Sequence, residues 1–323
     1  MKNKETIRAE KKKRKEHRKL MTKEQVSYVK RKKTVDIVWR VFRFFIIFGL
    51  CFVILYPIVF MISCAFRERA DMNDPTVMWI PRHFTFDVIK ETAEAINLPE
   101  TLVSTLLINI GCSLVQVITT ALTGYGFARF QFKGKNLLFG IVILMILVPP
   151  QIILLPQYDL FKTLGMINTA WTMYLPAMTA NGLRSGIMIL IFRQFFRGLP
   201  KELEDAAYLD GCGPLRTFAV IMVPNALSSF LTVFLFSVVW YWNDYYVCNS
   251  FFSTNQTLAL MIKNIQAVLN ASLFSDSSMH VSTREFVVWT QAACLISISP
   301  MLVMYAFLQK YFTEGIERSG LVG

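Results

Sequence analysis

Phe44–Phe66 reads FFIIFGLCFVILYPIVFMISCAF, 23 residues without a charged side chain. A helix rises 1.5 Å per residue, so about 20 apolar residues cross a hydrocarbon layer about 30 Å thick. This stretch is long enough. Working outward, further uncharged stretches occupy Thr101–Ala128, Asn136–Tyr158, Thr163–Leu183 (continuing past Arg184 to Phe192), Thr217–Asn243 and Phe286–Gln309. Apolar residues make up 54% of the 323 and charged residues 17%, against about 25% charged in a soluble domain. Mean hydropathy is +0.43. These values exclude a soluble enzyme and a disordered chain. They predict an all-α polytopic membrane protein with six spans, over about 44–66, 101–128, 136–158, 168–192, 217–243 and 286–309.

The net charge of +12 is concentrated rather than spread. Residues 1–36 hold 15 Lys/Arg against five Asp/Glu, directly before the first apolar stretch. Such a run reads as a basic cytoplasmic tail that holds the amino terminus inside and meets anionic lipid headgroups. No aromatic residues interleave with its first charges, so nucleic acid is not expected as a partner. With six spans both termini fall in the cytoplasm. The intervening segments agree: the outward-facing 67–100 segment carries seven acids and four bases, whereas 193–216 carries four bases. Residues 37–323 then form one transmembrane domain. The six cysteines are scattered, with no CxxC pair and no histidine at ligand spacing, so neither a disulfide framework nor a metal site is expected.

The connection between the fourth and fifth spans, 193–216, carries the most specific signal. Pro200 suits a first helical turn, and Glu202, Glu204 and Asp205 suit its positive dipole end. Gly211 is placed to end the helix in a left-handed conformation, and Pro214 prevents continuation. A helix of about ten residues follows. Leu203, Ala206 and Ala207 share one face at i, i+3, i+4 spacing, with Asp210 next along the stripe. Small side chains let another surface approach the backbone closely, and a stiff helix gripped there can move the flanking spans as a lever. An ordinary capped connector resting on the membrane accounts for the same spacing.

Glu204-Asp205-Ala206-Ala207-Tyr208-Leu209-Asp210-Gly211, followed by Phe218, Ile221 and Val223-Pro224, resembles the EAA loop of ABC importer permeases. More narrowly it is similar to the carbohydrate-uptake subgroup that includes the maltose permease subunits. Val148-Pro149-Pro150-Gln151, Leu164–Thr169, Leu175-Pro176, Arg193–Phe196, Trp242-Asn243-Asp244 and Lys310-Tyr311-Phe312 resemble further family segments, in the family's order. One departure is Asp205, where the family usually has Glu. The resemblance implies a type I ABC importer transmembrane fold in the bacterial cytoplasmic membrane. It implies that Glu202, Leu203, Glu204, Asp205, Ala206, Ala207, Asp210 and Gly211 couple the chain to a separate ATPase dimer. It also implies a second related permease, an extracytoplasmic solute-binding protein and a carbohydrate cargo. No GxxxxGK[ST] loop is present, so ATP and Mg are expected in the partner, not here, and no catalytic residue or cofactor is expected in this chain.

Residues that lipid would reject are candidates for the translocation path. Arg184 lies within the fourth apolar region, where an arginine facing lipid costs at least about 2.5–3.5 kcal/mol. It therefore faces the bundle, a partner or water, serving either packing or solute contact. Trp242, Asn243 and Asp244 end the fifth span, where rings and polar groups suit a sugar, and where an interfacial aromatic belt is the ordinary explanation. Pro149-Pro150 and Pro156 should kink or break the third span, and Gly182 and Gly186 allow close approach or a break in the fourth. The alternatives are a permease for peptides or amino acids, or a secondary transporter acting alone. The latter needs an ion relay or an inverted repeat, and neither is evident.

Overall fold

The computed structural model describes residues 22–77, 79–254, 257–273 and 282–320. Most of the basic tail, with His17, lies outside them, as does His280; the side chains of Lys310-Tyr311-Phe312 do too. The chain divides into two compact units after Phe60. The first is dominated by α1 (Lys23–Ala65), a continuous helix in which the last basic residues of the tail run into the apolar stretch without a break. None of its most apolar window is buried within the chain, and Phe44, Phe45, Phe48 and Phe52 are all exposed. A helix apolar all round without internal cover is suited to lipid or to another polypeptide.

In the second unit, α2 (Arg69–Asn73) and α3 (Asp87–Ala95) follow the first span. The centre of this unit is α4 (Leu98–Arg129). Thr101, Thr105, Asn109, Ser113, Gln116 and Thr120 are buried on it at intervals of three and four, which places them on one face. Most soluble helices bury the opposite kind of stripe. Here the polar stripe is buried beside Ile108, Cys112, Val117 and Ala121, while Val103, Leu107, Leu114 and Ile118 face outward, as lipid surroundings favour. Gly124 sets the spacing to α8 (Ser185–Gly198): a Cβ there would lie 2.7 Å from Phe192 Cβ and 3.0 Å from the Arg193 nitrogen.

The third apolar stretch is two helices, α5 (Lys135–Leu147) and α6 (Pro150–Thr163), meeting at 102°. Pro149 and Pro150 make the break, as their missing N–H groups predict, whereas Pro156 lies within α6. The fourth stretch, expected as one span over 168–192, is also divided: α7 (Trp171–Met178) stops and α8 starts after a non-helical link. The 193–216 connection holds α9 (Glu202–Leu209); the fifth then begins with α10 (Pro214–Thr217), a wider π turn over Phe218–Met222 and α11 (Val223–Asn225). It turns by 84° into α12 (Leu227–Asn243). Short helices α13 (Tyr246–Phe251), α14 (Leu258–Lys263) and α15 (Ile265–Leu273) bury Leu258, Leu260, Ile265 and Leu269 before α16 (Thr283–Gly320) closes the chain. By length and hydropathy, three of the described helices are able to cross a membrane, or five spans if each bent pair is one.

Candidate functional site

The 193–216 connection forms a capped helix two residues shorter than its spacing suggests. Glu202, Glu204 and Asp205 occupy the first turn of α9, where negative charge meets the free N–H groups. At the other end Gly211 has φ +79°; its N–H donates to the Tyr208 carbonyl (3.0 Å), and the Cys212 N–H to that of Ala207 (2.9 Å). This paired closure is the Schellman motif, and it requires a left-handed residue at Gly211. The two ends make α9 stiff.

Packing divides the residues that the sequence groups together. Glu204 and Ala207 are buried, whereas Glu202, Leu203, Asp205, Ala206 and Asp210 face away from the bundle. Leu209 is 89% exposed, an apolar tip on a polar loop. Glu204 accepts a hydrogen bond from the Tyr125 hydroxyl (2.7 Å) and forms an ion pair with Arg129, Nε to Oε2 3.3 Å. The Nε–H is not directed along a hydrogen bond, so the contact is ionic. Arg129 in turn donates from Nη2 to the Leu199 carbonyl (2.7 Å). Around Tyr125 pack Phe130, Phe196 and Phe218, with ring centroids 5.1 to 5.5 Å away. The helix α9 is thus bolted to α4, α8 and the π turn at one point.

The second feature is the gap between α7 and α8. Ala180 and Arg184 both adopt positive φ, 54° and 55°. Backbone freed at such a break must find new partners inside a membrane. Gln116 of α4 donates to the Leu183 carbonyl (2.6 Å), and Thr119 donates to that of Ala177 (2.7 Å). The Tyr241 hydroxyl accepts from the Leu183 N–H (3.4 Å) and donates to the Gln116 side-chain oxygen. Gly182 sits beneath: a Cβ would lie 2.5 Å from the Tyr241 oxygen and also strike Gln116. Gly186 lets α8 approach α5, its Cβ position 3.0 Å from the Val142 carbonyl oxygen.

A cavity of about 450 Å³ opens along this break, lined by Gln151, Asn181, Arg184, Trp240, Asn243 and Asp244 among others. Arg184 lies over the Trp240 ring, 5.5 Å from its centroid. Asp244 accepts from the N–H groups of Val247 (3.3 Å) and Cys248 (3.1 Å), and burial raises its carboxyl above the usual range against those bonds. Three of the four path residues expected from sequence therefore meet at one cavity. Trp242 does not. It is buried on another face of α12, and its indole N–H donates to the Ser297 carbonyl of α16 (3.2 Å).

A cavity with polar groups set in a largely apolar wall beside a broken span, together with a capped loop helix bolted to the bundle, is what a transport subunit needs. The family model described as "Binding-protein-dependent transport system inner membrane component" matches residues 116–318. The chain belongs to this family. Protein LplC of Bacillus subtilis is 27% identical over 270 residues, covering 83% of this chain and 89% of that protein. The arabinooligosaccharides transport system permease AraQ of Halalkalibacterium halodurans is 26% identical over 277 residues, 85% and 93% of the two chains. A bacterial ABC transporter involved in import of the acidic polysaccharide alginate shares the fold, with TM-score 0.70 at 18% identity over 86% of this chain and 98% of that one.

The permease is thus the membrane component of an ABC importer and a multi-pass protein; ATP hydrolysis is carried out by a separate subunit. Among the described residues no three His, Cys, Asp or Glu side chains gather as metal ligands. Sequence reasoning missed Tyr125, Arg129, Gln116, Thr119 and Tyr241. The polar stripe of α4 was a legible signal for Gln116, since glutamine amid uncharged apolar residues demands a partner.

Proposed function

We propose that this permease carries an oligosaccharide through the bacterial cytoplasmic membrane by alternating access. Six crossings place both termini and the 193–216 segment in the cytoplasm. A second related permease completes the path, two ATPase copies bind ATP with Mg, and an extracytoplasmic binding protein delivers the sugar. Nucleotide closes the ATPase dimer, α9 is carried with it, and the bundle reorients.

The observation that carries this reading is the two-sided character of α9. Its inner side, Glu204 and Ala207, is locked to the bundle; its outer side presents Leu203, Asp205, Ala206 and the apolar tip Leu209. An exposed leucine beside alanine and acids suits a cleft in a separate protein. The aromatic and amide lining of the cavity supports a carbohydrate cargo, as do the relatives named for oligosaccharides. The test is Ala206→Arg with Leu209→Glu, both outward and neutral for packing. Oligosaccharide uptake into proteoliposomes and co-purification of the ATPase should both be lost. Unchanged association and uptake would remove the reading.

A further inference from the structure

Arg184 is the charged group that the permease's own chemistry leaves unexplained. Its backbone is left-handed at φ 55°, it is exposed within the cavity, and it rests on Trp240. No carboxylate among the described residues lies within ion-pair distance of it. Asp244 lines the same cavity, yet its two oxygens are held by the Val247 and Cys248 N–H groups. The other polar lining groups are uncharged: the amides of Gln151, Gln157, Asn181 and Asn243, and hydroxyls such as those of Thr172 and Tyr246. The first turn of α8 adds its positive dipole end beside the arginine.

A cation kept for packing would be expected to hold a carboxylate or a backbone carbonyl, and a cavity for a neutral sugar needs none. A guanidinium stacked on an aromatic ring keeps its fork of N–H donors for a planar two-oxygen acceptor. We propose that Arg184 selects cargo bearing carboxylates, that is, oligosaccharides of uronic acids, with the ring of Trp240 seating the guanidinium. This rests on the oligosaccharide reading above and narrows it.

The test uses the complete importer, reconstituted with its ATPase, second permease and binding protein. Trimers of uronic acids and their methyl esters, equal in length but lacking the charge, are the probes. The native importer should take up at least one acidic trimer. Arg184→Gln should lower its rate at saturation by about tenfold or more while changing ester transport less than about twofold. Arg184→Lys should recover part of the acidic transport and Arg184→Met none, with all three complexes melting like the native one. Equal losses for acid and ester, an altered melting point, or no effect of Arg184→Gln would each overturn the assignment. Native uptake of neutral oligosaccharides alone would overturn it too, while leaving the importer reading intact. Uptake of no carbohydrate at all would overturn both.

Discussion

Glu204 of α9 and Arg129 at the end of α4 form an ion pair, 3.3 Å from Oε2 to Nε, with both side chains more than nine-tenths buried. Seventy-five residues apart in sequence, they make the fastening between the loop helix and the bundle. Removing one partner leaves the other charge buried and unpaired, at a cost of about 3–5 kcal/mol. Glu204→Ala and Arg129→Ala should each lower the melting point of the purified importer and reduce transport. The double variant Glu204→Leu/Arg129→Met should melt higher than either single change. A double variant no better than the singles would show that the pair is not coupled.

Gly211 has open space around it, so its requirement is purely conformational. Gly211→Val should cost about 1–2 kcal/mol from the left-handed backbone alone and loosen the end of α9. Gly211→Asn, which tolerates that conformation, should keep most uptake. Hydrogen exchange at the Cys212 amide, which is bonded to Ala207, reads the difference directly.

Gly182 faces the opposite constraint, space rather than φ. Gly182→Ala drives a methyl into Tyr241 and Gln116, so stability should fall by about 1–3 kcal/mol. Tyr241→Phe removes one of the two side-chain oxygens that are struck, the other being Gln116 Oε1. The combination should therefore lose less stability than the sum of the two single changes. Additive losses in the pair would mean that the clash falls on Gln116 alone.

The adjacent tryptophans of α12 should separate stability from transport. Trp242→Phe deletes the bond to Ser297 and should lower the melting point by the equivalent of about 1 kcal/mol, leaving cargo preference unchanged. Trp240→Leu removes the ring beneath Arg184 and should alter uptake with a smaller effect on melting. A reversal of these two outcomes would place the cavity on the wrong face of α12.

Local chemistry made much of this legible. Pro149-Pro150 marked a break that depends only on missing N–H donors, and Gly211 marked a helix end that depends only on backbone sterics. The eight residues expected to meet a partner could be named from sequence but not divided between inner and outer sides. Spacing placed Leu203, Ala206 and Ala207 on one face, yet the bundle claims Ala207 and Glu204 and leaves Ala206 outside. An amphipathic pattern reveals a stripe; it does not say which of two proteins will cover it. Trp242 and Trp240 are likewise alike in composition and adjacent in sequence, so only the rotation of α12 tells packing from cavity.

The sequence by itself determined that this chain lives in a membrane and carries a short capped helix between its fourth and fifth apolar stretches. Both follow from free energies local to short stretches: the transfer of about 20 apolar residues to lipid, and the satisfaction of helix ends. Tertiary structure alone decided how α9 is fastened and where the fourth stretch breaks. Those outcomes depend on partners 67 to 125 positions apart, Leu183 and Tyr241 meeting Gln116, and Glu204 meeting Tyr125 and Arg129. A buried polar group takes whichever partner the packing of helices brings within reach, and no spacing along one helix contains that information.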